Sequence, residues 1–180
     1  MTITTVLLCY TTSAATLSLV LSLLVLRSLH GGAATMPGSP VVLPASGPEL
    51  GSPALRITAV TDEAKLLDTD LFSGQGYLLA FFSSTCLACR TALPALTSYA
   101  GELFGDPRRL IAVIVGDRRR GADIASTLQG FATLVHEPEG GPISSAYRIA
   151  LFPSFVLVSE EGIVLATGQS VRELPQRQTQ

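Results

Sequence analysis

The stretch Phe81-Phe82-Ser83-Ser84-Thr85-Cys86-Leu87-Ala88-Cys89-Arg90-Thr91-Ala92-Leu93-Pro94 decides the fold. It follows Tyr77-Leu78-Leu79-Ala80, and together Tyr77 to Phe82 make an apolar run without alternation, the pattern of a strand covered on both faces. After Ser84 the pattern changes to a helix from Leu87 to Phe104, with apolar residues at Leu93, Leu96, Leu103 and Phe104. Two cysteines three residues apart fall at the change from strand to helix.

That placement carries chemistry. A helix N-terminus presents unpaired N–H groups and the positive end of the dipole, which favour a thiolate over a thiol and so make Cys86 the candidate nucleophile. Cys89 lies one turn on along the same face, within reach of a disulfide of ordinary geometry, and is the candidate resolving thiol. The same two residues also suit a structural disulfide or half of a zinc site. A zinc site is hard to complete, because there is no second such pair and the only histidines are His30 and His136.

Outward from this centre, Arg56 to Val60, Leu110 to Val115, Phe155 to Val158 and Ile163 to Ala166 read as strands. Ala122 to Leu128 reads as a short helix, and Glu160-Glu161-Gly162 as the turn of an antiparallel hairpin. The order predicts a three-layer α/β/α domain with a mixed central sheet over residues 55–180.

With the later Tyr147-Arg148-Ile149-Ala150-Leu151-Phe152-Pro153-Ser154-Phe155-Val156-Leu157-Val158 and the turn Glu161-Gly162, the quoted motif resembles membrane-anchored thioredoxin-like proteins of the TlpA type. Among them it is most similar to the MauD-like accessory proteins of methylamine dehydrogenase. The resemblance spans about Leu55 to Leu174. It implies a thioredoxin-like fold and a protein thiol-disulfide oxidoreductase whose redox pair is Cys86 and Cys89, with no cofactor beyond their disulfide. It also implies that Pro94 bends the first helix and that Pro153 is the cis-proline beside the disulfide. Phe152, Pro153 and Thr85 would then meet the substrate, with the Phe152 backbone pairing to it as to an added strand.

This sequence departs from that pattern at four places. Thr85 stands where the family usually has an aromatic residue, and Ala88 where it often has proline. Ala80 takes the place of a buried acid that transfers the proton of the second cysteine. The Leu87-Ala88 dipeptide offers no histidine to stabilise a thiolate as in strongly oxidising relatives. These departures favour a reductant with slow resolution. A redox-inactive adaptor that holds a partner protein in the same groove is the competing expectation, while the cysteine spacing argues against copper delivery.

Composition says where the domain is held. The chain has 180 residues, 47% hydrophobic and 14% charged, against about 25% charged in ordinary soluble domains. Lys+Arg 12 against Asp+Glu 14 gives a net charge of -2, which leaves no positive field for nucleic acid. The deficit is local: no Asp, Glu, Lys or Arg precedes Arg27. Thr5 to Leu26 is long enough for one transmembrane helix, and residues 1–27 are read as an anchor. A cleaved secretory signal is the rival, against which stands the lack of a basic leader. Residues 28–54 carry Pro37, Pro40, Pro44, Pro48 and Pro53 among glycines and read as a flexible tether.

Arg27 and His30 after the apolar run would place the domain in the cytoplasm by the positive-inside rule. Disulfide chemistry places it outside, where disulfides persist, and is preferred here. The expected partners are a disulfide-containing protein substrate, the membrane through one helix and, for a reductant, a polytopic membrane protein supplying electrons. Arg118-Arg119-Arg120 reads as a solvated loop, and Cys9 as a small apolar residue without a role.

Overall fold

A computed structural model of the protein describes residues 46–176. The expected anchor, residues 1–27, and most of the expected tether lie outside them. Among the described residues no helix is long and apolar enough to cross a membrane. The chain order is β1 (Thr58–Val60), β2 (Leu66–Asp68), β3 (Tyr77–Ser83), α1 (Leu87–Phe104), β4 (Leu110–Val115), α2 (Ala122–Leu128), β5 (Thr133–Glu137), α3 (Pro142–Ala146), β6 (Ser154–Val158) and β7 (Val164–Gly168).

Apolar residues from Tyr77 to Phe82 of β3 and at every position of β4 call for cover on both sides, and the neighbouring layers supply it. The sheet order is β5-β4-β3-β6-β7, with β3 in the middle. β4 runs parallel to β3 and β5, while β6 and β7 are antiparallel, so the sheet is mixed as expected. Successive side chains alternate across the pleat. Leu78, Ala80 and Phe82 face Cys89, Leu93 and Leu96 of α1 and Ile124 and Leu128 of α2. Tyr77, Leu79 and Phe81 face the other way, against Ile57, Leu67, Ile143 and Tyr147. Each large side chain buried in this way contributes roughly 1.5–3 kcal/mol.

The two covering layers differ. One is the pair α1 and α2, whereas the other is the five-residue α3 together with the small antiparallel ribbon β1–β2. That second layer is lighter than an α/β/α sandwich suggests. α3 is held by an unusual cap, since the buried Glu137 carboxylate accepts the N–H groups of Ile143 and Ser144 at 2.8 Å each. The Tyr147 hydroxyl donates to the Leu55 carbonyl at 2.6 Å and joins this layer to the entering chain.

α1 ends at Gly105, whose φ of 67° lies in the left-handed region that glycine enters without strain. The helix runs unbroken through Pro94, which is exposed, between the buried Leu93 and Leu96.

The domain begins earlier than the composition suggests. Residues 46–54, expected to belong to the tether, are fastened to the domain. Gly47 donates to the Arg148 carbonyl, Gly51 to that of Val164 and Ala54 to that of Gly162. Pro53 forms a bridge to Ile163. Non-local hydrogen bonds of this kind leave no mark on composition.

Candidate functional site

The site grows out of the end of β3. Ser84 continues the strand's direction by donating its N–H to the Val115 carbonyl at 2.9 Å, and Cys86 then turns the chain by donating to Ser83 at 3.1 Å. Ser84 is buried against Gly116. A Cβ at Gly116 would lie 2.5 Å from the Ser84 hydroxyl oxygen, and its φ of 109° is itself open mainly to glycine.

Cys86 is the N-cap of α1, with φ −83° and ψ 117°. Its sulfur accepts the N–H of Cys89 at 3.1 Å, taking the place that a serine or aspartate oxygen holds at an ordinary cap. The two cysteines are free thiols of unequal access: Cys86 is half-buried and Cys89 fully buried. Burial, reinforced by the hydrogen bond with Cys86, pushes the Cys89 thiol up to about 12, while the nearby charge of Arg90 pulls it the other way. Ala80 lies in the same apolar cluster and presents only a methyl group.

The loop before β6 closes the site. The Cys86 thiol donates to the Phe152 carbonyl at 3.5 Å, and the Phe152–Pro153 peptide is cis. Leu87 is 75% exposed and Leu151 47%, so apolar side chains flank the reachable sulfur. Thr85 is exposed at the turn, where its hydroxyl lies 3.3 Å from that of Ser83. Of the residues singled out from sequence, Cys86, Cys89, Phe152, Pro153 and Thr85 therefore meet in one shallow site. Pro94 does not; it lies further along α1.

In the sequence Arg90 stands out only as part of the cysteine motif. Its Nη1 donates to the Cys86 carbonyl at 3.0 Å and its Nη2 to the Ser84 carbonyl at 3.1 Å. The same guanidinium meets Asp123 on α2 in two contacts of 2.5 and 3.0 Å. That hydrogen bonding holds the Asp123 carboxyl below the usual carboxylate range. The signal was a cation next to the second cysteine, and its partner lies 33 residues away.

The arginine run is exposed at all three positions, as expected of a solvated loop, and its backbone is ordered by local hydrogen bonds. Arg118 pairs with Asp62 at 3.1 Å, and the Asp117 carboxylate accepts the N–H groups of Arg119 and Arg120 at 2.9 Å each. His136, weighed as a zinc ligand, instead has its Nδ1 2.9 Å from Asp62. Among the described residues no group of three or more His, Cys, Asp or Glu side chains could hold a metal ion.

The chain has a thioredoxin-like fold, and thiol-disulfide oxidoreductases are among the structures that share it. It is similar to the thioredoxin domain of a thiol-disulfide oxidoreductase from Bacteroides vulgatus, with TM-score 0.57 and 22% identity over 70% of this chain and 92% of that one. A thiol:disulfide interchange protein of the thioredoxin family from Chlorobium tepidum matches with TM-score 0.54 and 16% identity, over 67% and 87% of the two chains. A secreted Mycobacterium tuberculosis disulfide oxidoreductase, homologous to E. coli DsbE, matches with TM-score 0.51 and 20% identity, over 63% and 83%. No protein-family model matches the sequence, and no curated protein is similar to it.

Proposed function

We propose that the protein is a membrane-tethered thiol-disulfide oxidoreductase that reduces protein disulfides on the extracytoplasmic side through Cys86 and Cys89. The observation that carries this reading is the unequal pair at the start of α1, with a reachable sulfur at the helix N-terminus and a buried thiol one turn behind it. The likeness to oxidoreductase structures supports it, as does the Phe152 carbonyl held against the reachable sulfur beside the cis peptide.

In the first step the Cys86 thiolate attacks one sulfur of a substrate disulfide. A mixed disulfide forms and the other substrate sulfur leaves as a thiolate. Cys89 then loses its proton and attacks the Cys86 sulfur, which breaks the mixed disulfide and releases the second substrate thiolate. Two electrons have passed to the substrate, and Cys86 and Cys89 end as a disulfide. The disulfide itself is the only redox group the cycle uses. A polytopic membrane protein would return the electrons, and residues 1–27 would hold the domain at the bilayer. In this reading the protein works in the manner of the TlpA-type and MauD-like proteins that its motif resembles.

Cys89→Ser tests this in cells. Attack by Cys86 proceeds but resolution cannot, so a covalent adduct with the substrate accumulates and is seen on non-reducing gels. Absence of any such adduct, with partner binding retained in Cys86→Ser, would favour the adaptor instead. Orientation has a separate test. A reporter active only in the cytoplasm, fused after Gln180, should be silent.

A further inference from the structure

We propose that Arg90 is the positioning residue of the cysteine turn, and that the Arg90–Asp123 pair sets the reactivity of Cys86. The proposal rests on the redox reading above and concerns how its nucleophile is held.

The guanidinium ties three segments together. It reaches the carbonyls of Ser84 and Cys86 in the turn, the carbonyl of Arg120 at 3.0 Å in the loop after β4, and Asp123 at the start of α2. Its side chain is 30% exposed, so these bonds are made away from bulk water in large part. All three nitrogens of the planar fork, Nε, Nη1 and Nη2, reach acceptors, an arrangement that a lysine ammonium cannot reproduce. The turn that carries Cys86 is thereby tied at two of its own carbonyls to the loop after β4 and to α2.

The pair also has an electrostatic side. During exchange Cys86 passes between a neutral disulfide sulfur and a thiolate, and only the thiolate is stabilised by a nearby cation. Arg90 is that cation, and Asp123 is its counter-charge at hydrogen-bond distance. Asp123 therefore both aims the guanidinium and offsets part of its field. Removing the cation and removing the counter-charge should act on the thiolate with opposite signs. Loss of a purely mechanical brace would act with the same sign in both.

The experiment uses the full chain in detergent micelles. The reduced and oxidised states of the Cys86–Cys89 pair are first measured against glutathione buffers. Iodoacetamide alkylation of Cys86 is then followed at pH 7 in the parent and in Arg90→Gln, Arg90→Lys and Asp123→Asn, with circular dichroism to register folding. Arg90→Gln should slow alkylation by about threefold or more, and Asp123→Asn should speed it by about twofold, the size of effect expected of one partly exposed charge. Arg90→Lys should fall between the parent and Arg90→Gln. Rates that shift in the same direction in Arg90→Gln and Asp123→Asn would leave Arg90 as a brace but overturn the claim that the Arg90–Asp123 pair sets the reactivity of Cys86, and rates within experimental error of the parent would overturn both. A parent that forms no Cys86–Cys89 disulfide in any glutathione buffer would overturn the redox reading itself.

Discussion

The Cys86 sulfur lies 3.5 Å from the carbonyl oxygen of Phe152, a residue 66 positions later in the chain. This contact joins the N-cap of α1 to the loop that leads into β6. It places the reachable thiol beside a main-chain acceptor, while Cys89 stays behind it in the apolar cluster.

Unequal access predicts unequal labelling. In the reduced native protein, substoichiometric iodoacetamide should modify Cys86 and spare Cys89, and both should react once the chain is unfolded in guanidinium. Peptide mapping by mass spectrometry reads the two sites directly. Comparable native labelling of Cys89 would contradict its burial.

The resolving step should depend steeply on pH. Cys89 is pushed up to about 12 chiefly by burial, and that burial is expected to be retained in the mixed disulfide. Below that value the reactive thiolate fraction rises tenfold for each pH unit. Release of substrate from the Cys86 mixed disulfide should therefore accelerate from pH 7 through pH 9 without reaching a plateau. Stopped-flow measurement of that release is the check, and a plateau near pH 8 would show that the thiol is not so held.

Ala80 offers a gain-of-function test with a penalty. It is fully buried, between Ala112 and Phe155 in the sheet and in the cluster that holds Cys89. Ala80→Asp should provide a proton acceptor and speed resolution severalfold at pH 7. The buried carboxyl should also destabilise the domain by about 1–3 kcal/mol, more if it ionises. Urea unfolding gives the second quantity and single-turnover release the first. Unchanged release in a folded variant would mean that proton transfer does not limit the step.

Gly116→Ala should disturb the cysteine turn from a distance. The new Cβ would meet the Ser84 hydroxyl at 2.5 Å, and the backbone there lies at φ 109°. A loss of about 1–3 kcal/mol is expected from strain and from displacement of Ser84. Urea melts report the loss, and Cys86 alkylation should change with them. A neutral variant would imply that Ser84 moves aside freely.

The central strand, α1 and the cysteine pair were legible because each announces itself locally. Tyr77 to Phe82 cannot face water on either side, and the cysteines fall where strand pattern yields to helix pattern. Leu110–Val115 and Ala122–Leu128 matched to the residue for similar reasons. β5 stayed hidden. In Thr-Leu-Val-His-Glu only Val135 and Glu137 are buried, and Glu137 turns its carboxylate to α3 instead of solvent. α3 spans five residues, too few for a helical period to register. β2 covers three, with one buried. The site was legible in its sulfurs and in the loop at Phe152 and Pro153. Its supports were not, since Arg90 meets Asp123 and Arg120 only after the chain has folded across 33 and 30 positions. The strap from Ser46 to Ala54 was read as free chain for the same reason.

That strap bears on how such molecules would behave when crowded together. A five-stranded sheet has two open rims, each able to recruit a strand from a neighbour. Here Gly51 to Ala54 lie along the start of β7, with Pro53, which has no N–H to donate, at the bridge to Ile163. At the opposite rim the Asp62 N–H is already given to the Leu134 carbonyl of β5. Both rims are thus partly stoppered by the protein's own chain. Copies brought close together would meet blunted borders, which disfavours their zipping edge to edge into fibres.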